Sequence, residues 1–172
     1  MNKKTRNILI GIVAALVIGS CIFMFSISPV KVKSGNREMP EADGQTAEIL
    51  SGVIIEQKFT NITEDINEIA IVFNRLYSLE EKTNIVIELR DGGSVLASSV
   101  LNADDIEGSH RTYIKPDSTI SGYVGKELEL RIYTDSTAGT GLSLMTNSGE
   151  NSSFTYGDQK IDGTICFSIT GK

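Results

Sequence analysis

The chain has no tryptophan, one histidine, two cysteines and three prolines among 172 residues. A single imidazole, His110, excludes metal centres built on several histidines and leaves one candidate ring base. The two thiols, Cys21 and Cys166, fall in segments of different character, one inside an apolar run and one near the far end of the polar part. No intramolecular disulfide is expected, so stability has to come from the core. Without tryptophan the chain lacks the largest flat stacking surface for a sugar ring, which weighs against direct carbohydrate binding. Phosphate-cradling loops are missing too, since neither a P-loop nor a G-x-G-x-x-G pattern occurs.

Basic charge is in deficit, with 16 Lys and Arg against 22 Asp and Glu and a net charge of −6. That balance argues against nucleic acid as a partner. Its distribution is more informative than its sum. Residues 1–30 carry Lys3, Lys4 and Arg6 and no acid, so the rest holds 13 basic and 22 acidic residues, a net −9.

What is present begins with a long apolar run. Ile8 to Val30 is 23 residues without a charge. As a helix it spans about 34 Å, enough for a hydrocarbon layer of about 30 Å, with every backbone polar group satisfied internally. Pro29 marks the end of that helix. Three readings compete. A cleaved signal peptide has an apolar stretch of only about 7–15 residues, and no small-x-small site follows this run convincingly. A lipoprotein signal is suggested by Ile18-Gly19-Ser20-Cys21, with Cys21 lipidated, yet Ile22-Phe23-Met24-Phe25 stays apolar where such chains turn polar. The expectation is therefore an uncleaved signal anchor over 8–30, behind a basic cytoplasmic tail over 1–7. Lys31, Lys33 and Arg37 match Lys3, Lys4 and Arg6 in number, so charge alone leaves the orientation tied. A single early span before a long polar domain sets the expectation: a single-pass cell-membrane protein, amino terminus inside, domain outside.

Residues 31–47 are charged, small and turn-prone, and read as a flexible stalk. From Glu48 the pattern changes to short apolar runs of period two, and residues 48–172 are expected to form the extracytoplasmic domain. Candidate strands cover 49–59, 66–73, 84–90, 94–101, 111–115, 127–134, 142–146 and 164–170. Asp91-Gly92-Gly93 supplies a hairpin turn between the third and fourth. The single helical candidate, Leu76 to Lys82, is too short for more than a turn or two. About eight strands separated by Gly, Asp, Asn and Ser loops predict an all-β fold, an antiparallel β-sandwich of jelly-roll type.

Catalytic signatures are scarce, and the expectation is a protein that is not an enzyme. Ser109 and His110 are neighbours, and adjacent strand residues point to opposite faces, so they form no dyad. Glu80-Glu81 is a paired-carboxylate motif without visible cleft geometry. Asp104, Asp105 and Glu107 are the candidate ligands for a structural Ca²⁺, an oxygen-loving ion, although a spaced D-x-D-x-D pattern is absent. Asp158 to Asp162 is a weaker version. No other cofactor is indicated. Glu88, Arg90 and Arg131 share outward strand positions suited to planar hydrogen bonding, and Tyr133 stands on the same charged face. Phe154 and Tyr156 fall in a polar stretch and are expected to be exposed, with Tyr156 joining the ligand-binding set. Asn61-Ile62-Thr63 and Asn151-Ser152-Ser153 match the glycosylation sequon, which matters only in a eukaryotic secretory route.

Residues 55–170 resemble a galactose-binding or jelly-roll-like β-sandwich domain of bacterial, mainly Gram-positive, membrane and surface proteins. The likeness rests on Gln57-x-Phe59, on Ile69-Ala70-Ile71-Val72-Phe73 and on the run 83–91, TNIVIELRD. It continues through 93–98, GSVLAS, and 125–132, GKELELRI, where Leu128 takes the usual tyrosine position. The resemblance implies an accessory role near surface glycans, often beside membrane-embedded glycosyltransferase-like proteins. The expected function is thus a non-enzymatic membrane-anchored module that binds a surface glycan or a partner envelope protein. The alternative is an accessory subunit that pairs through its helix with a glycosyltransferase, transporter or secretion complex. Gly11, Ala15 and Gly19, spaced by four, supply a small-residue stripe for such pairing.

Overall fold

A computed structural model describes residues 35–79 and 82–171. The basic tail (1–7), the anchor (8–30) with Cys21, the first stalk residues and Glu80-Glu81 lie outside them. Among the described residues no helix is long and apolar enough to cross a membrane.

Period-two alternation becomes two antiparallel six-stranded sheets. The first contains β1 (Gly44–Gln45), β4 (Glu68–Arg75), β7 (Arg111–Ile114), β10 (Leu142–Asn147), β13 (Thr164–Ile165) and β14 (Phe167–Thr170). The second runs in the spatial order β12 (Gln159–Asp162), β11 (Ser153–Tyr156), β2 (Ile54–Thr60), β9 (Glu127–Tyr133), β5 (Asn84–Asp91) and β6 (Ser94–Asn102). A two-stranded ladder, β3 (Asp65–Ile66) with β8 (Ile120–Ser121), stands apart.

Buried residues from both sheets form one core cluster, which makes the arrangement sandwich-like. Ile55 and Phe59, Ile85, Ile87 and Leu89, and Leu128, Leu130 and Ile132 come from the second sheet. Ile69, Ile71 and Phe73, Leu142 and Leu144, and Phe167 and Ile169 answer from the first. Each set repeats every second residue because strand side chains alternate between faces. Phe59 and Phe167 meet edge to face across the sandwich, ring centroids 5.1 Å apart.

The first sheet forks around the last strand. β10 pairs with β4 through Leu142–Leu144, after which the two separate. The carboxy-terminal strand fills the gap, β13 pairing with β10 and β14 with β4. Cys166 is the break between them: its N–H donates to Met145 O at 2.8 Å and its carbonyl accepts from Val72 N at 3.1 Å. Gln57 closes the junction from the opposite sheet, its Oε1 accepting the Ile165 N–H at 2.7 Å. Burial pushes the Cys166 thiol up to about 11, so it is an inert, buried group.

Three details differ from the sequence expectations. Residues 35–47, read as a stalk, are held to the domain from Gly35 onward: Gly35 N donates to Ile62 O, Arg37 pairs with Ile169, and Asp43 and Thr46 N–H donate to β10. Main-chain hydrogen bonds need no apolar period, which is why composition conceals this docking. Arg37 also lays its guanidinium 4.3 Å from the Phe167 ring centroid. Second, the expected first strand, 49–59, is two pieces. Ile49 N donates to Leu142 O in the first sheet, and the chain then turns at Gly52 (φ 75°) and enters the second sheet at Ile54. Third, the polar stretch around Phe154 is the hairpin β11–β12. There Phe154 is 3 % exposed and belongs to the core. Leu76–Leu79 forms no helix.

Candidate functional site

The outer face of the second sheet is built from three strands with the same alternation. β2 sends Ile55, Gln57 and Phe59 inward and therefore Glu56 and Lys58 outward. β9 likewise presents Glu129, Arg131 and Tyr133, and β5 presents Val86, Glu88 and Arg90. Register sets these in rows. Glu56, Arg131 and Glu88 lie side by side, and the next row is Lys58, Glu129 and Arg90. Signs alternate along each strand and across the strands, a two-by-three checkerboard in which every cation has anionic neighbours.

The contacts follow from that placement. Arg131 Nε lies 3.1 Å from Glu129 Oε1 and 3.4 Å from Glu56 Oε2. Arg90 Nη1 donates to Glu88 Oε2 at 2.7 Å and its Nη2 to Gly93 O at 3.0 Å. Tyr133 Oη donates to the other Glu88 oxygen at 3.2 Å. Neither Arg90 Nε nor Arg131 Nε has an acceptor aligned with its N–H. Burial raises the Glu129 carboxyl above its ordinary range, Glu56 raises it further, and Arg131 opposes them. Tyr133 is raised by burial and then by Glu88.

Beside the checkerboard is a groove of about 250 Å³, lined by Gly52, Ile54, Glu56, Arg131, Thr155 and Asp158 and closed by Gly157. Gly52 and Gly157 both have positive φ, 75° and 57°, and supply the two turns that frame it. Its polar lining pairs a planar cation with two carboxylates, donors and acceptors that fit vicinal hydroxyl groups.

Of the five residues expected to bind ligand, Tyr133, Arg131, Arg90 and Glu88 come together on this face. Tyr156 does not join them. It lies opposite Ile55 in the ladder, packs against the core, and donates its hydroxyl to the Glu48 carbonyl. Asp158, which sequence spacing offered as a weak calcium ligand, lines the groove instead.

Asp104 and Asp105 lie on a 3₁₀ turn, Ala103–Asp105, capped by Asn102, whose Oδ1 accepts the Asp104 N–H at 3.0 Å. The turn's carbonyls face a cation already present: Arg75 Nη2 donates to Ala103 O and, at 2.7 Å, to Ile106 O. Glu107 points toward His110, 3.9 Å from Nδ1, where both side chains are exposed. Asp104, Asp105 and Glu107 are not brought together. Among the described residues no three His, Cys, Asp or Glu side chains are grouped to hold a metal. Asn61, in the first sequon, is buried, its Nδ2 donating to Thr63 O and its Oδ1 accepting from Thr63 N.

A second groove, about 360 Å³, crosses the outer face of the first sheet between Asn36, Glu38 and Met39 on one side and Arg111 on the other, with Ser168 and Thr170 as floor. Tyr113, 55 % exposed, stands on this face two strands from Ser168, with the small Ala70 between them. The signal for Arg111 and Tyr113 was their alternation against inward Ile114. The facing wall comes from the docked segment, which carries no such period.

Fold and surface together define an antiparallel β-sandwich-like domain with a charge-compensated sheet face and an adjoining polar groove. No protein-family model, curated protein or solved structure matches the chain.

Proposed function

We propose that the protein is a single-pass, membrane-anchored, non-enzymatic module that presents this domain outside the membrane, as a jelly-roll or galactose-binding-like sandwich, and binds a surface glycan through the Arg131 groove. The observation that carries the reading is the position of Arg131. Glu56 and Glu129 fix its guanidinium while it lines the cavity with Asp158. A guanidinium held in this way binds hydroxyls without first losing side-chain freedom, which favours weak polar ligands. Membrane attachment is supported by the uncharged run Ile8–Val30 behind Lys3, Lys4 and Arg6. The stripe Gly11, Ala15 and Gly19 favours the accessory-subunit reading, in which the helix pairs with a membrane partner.

The test is a glycan array probed with the full chain in lipid nanodiscs. Arg131→Ala abolishes binding on this reading, while Tyr113→Ala, on the other sheet, leaves it intact. Binding lost with Tyr113→Ala and kept with Arg131→Ala moves the site to the outer face of the first sheet.

A further inference from the structure

The lining of the Arg131 groove holds one cation, Arg131, and two carboxylates, Glu56 and Asp158. The cation is already engaged, its Nε 3.1 Å from Glu129 and 3.4 Å from Glu56. Asp158 is not. It is exposed and forms no ion pair among the described residues. Its place is nonetheless set by the backbone. Tyr156 pairs with Gln159, so Gly157 and Asp158 are the whole turn between β11 and β12. Gly157 opens that turn at φ 57°, the conformation a two-residue hairpin turn asks of its first residue. Its N–H donates to the Ile54 carbonyl at 2.9 Å. The turn is thereby tied to β2, and the Asp158 carboxylate stays beside the groove instead of swinging out on a free loop.

From this arrangement we infer that the groove takes a sugar residue carrying a free amine, protonated at neutral pH, and that Asp158 is the carboxylate that selects it. The inference rests on the glycan reading above and names the class of sugar. Three observations support it. The lining has one positive and two negative groups, so a carboxylated or phosphorylated sugar would meet two carboxylates and a guanidinium already engaged. An ammonium meets Asp158 unopposed. At Glu129, Glu56 raises the carboxyl more than Arg131 lowers it, so the guanidinium does not balance the acids around it. Residues 31–172 carry a net −9, a field that draws cationic ligands in and turns polyanions away. Arg131 and Thr155 remain for the hydroxyls of the ring. An amine without neighbouring hydroxyls, such as a lysine side chain, uses only the Asp158 half of the groove.

The experiment is the glycan array probed with the full chain in nanodiscs, before and after selective N-acetylation of the array, with oligolysine features alongside. Wild type binds features that carry a free amino sugar, and acetylation weakens that binding about threefold or more, because the ammonium facing Asp158 is gone. Asp158→Asn binds untreated and acetylated features alike. Asp117→Asn removes the same charge from the exposed loop between β7 and β8 and keeps the wild-type preference. Arg131-dependent binding that survives acetylation overturns the inference and leaves the glycan reading standing. So does a preference that Asp158→Asn retains, which places the selecting charge elsewhere. A preference that Asp117→Asn loses, or oligolysine bound as tightly as the amino sugar, also overturns it, reducing the effect to net charge. An array on which wild type binds nothing removes the glycan reading and this inference with it.

Discussion

Replacing Gln57 with leucine tests how the two sheets are joined. Gln57 is 1 % exposed on the inner face of β2, a position where an apolar residue would be expected. Its Oε1 accepts the N–H of Ile165, which is 0 % exposed, at 2.7 Å. That N–H sits where β13 gives way to β14 at Cys166. Leucine fills a similar volume but orphans the Ile165 N–H, at a cost of about 1–3 kcal/mol. Removing the buried amide recovers part of its desolvation cost, so the expected net loss is about 1–2 kcal/mol. For a domain of this size that is a fall in Tm of about 3–8 °C. Thermal unfolding of the full chain in mild detergent, followed by circular dichroism, reads the loss, and amide exchange at Ile165 localises it. Gln57→Glu supplies the complementary case. It keeps an acceptor but buries a carboxyl whose folded pKa must rise, so its stability is greatest below the ordinary carboxylate range and falls as pH rises above it. A Gln57→Leu protein as stable as wild type, with Ile165 still protected from exchange, would refute the assigned role.

Three further outcomes follow from the same contacts. Glu129 has a folded pKa raised by burial and by Glu56, so its ionised form opposes folding, and stability declines as pH rises from its unfolded value through the folded one. Glu129→Gln therefore flattens the pH dependence of Tm just above the normal glutamate pKa of about 4.3; an unchanged slope contradicts this. The Cys166 thiol, raised to about 11, stays unreactive toward an aromatic disulfide reagent in the folded protein at neutral pH and reacts on unfolding. Rapid native-state labelling at Cys166, mapped by mass spectrometry, contradicts its placement. Arg75→Ala removes the donors to Ala103 O and Ile106 O, which speeds amide exchange across residues 103–110 and lowers stability by about 1–2 kcal/mol. Unchanged exchange there would show that Asn102 alone holds the turn.

Alternation carried most of the strand reading, because a half-buried strand writes its burial into every second residue. The runs 84–90 and 127–134 show this most clearly, and they also supply the outward Glu88, Arg90, Arg131 and Tyr133. Two features left no such trace. The hairpin β11–β12 has few apolar residues, Phe154, Tyr156 and Ile161, so its polar look concealed two strands; the Gly157-Asp158 pair was the available turn signal. Segment 35–47 docks through backbone groups and through Arg37 on two core aromatics. Tyr156 shares the inward face of β11 with Phe154, a face that exists only once the segment is known to be a strand. Glu56 and Lys58 alternate as plainly as their neighbours. Their part in the site depends on β2 lying beside β9, a non-local pairing that no local pattern encodes.

The most direct test of the central claim is the affinity of the full chain in nanodiscs for the best glycan found on the array, measured by titration for wild type and Arg131→Ala. Removing a guanidinium that hydrogen-bonds ligand hydroxyls costs about 1.5–3 kcal/mol, so the predicted result is a Kd weaker by about tenfold or more, read well below the Tm of both proteins because Arg131→Ala also leaves Glu56 and Glu129 without their shared cation. Equal affinities for the two proteins, or no glycan bound by wild type at all, would contradict the account.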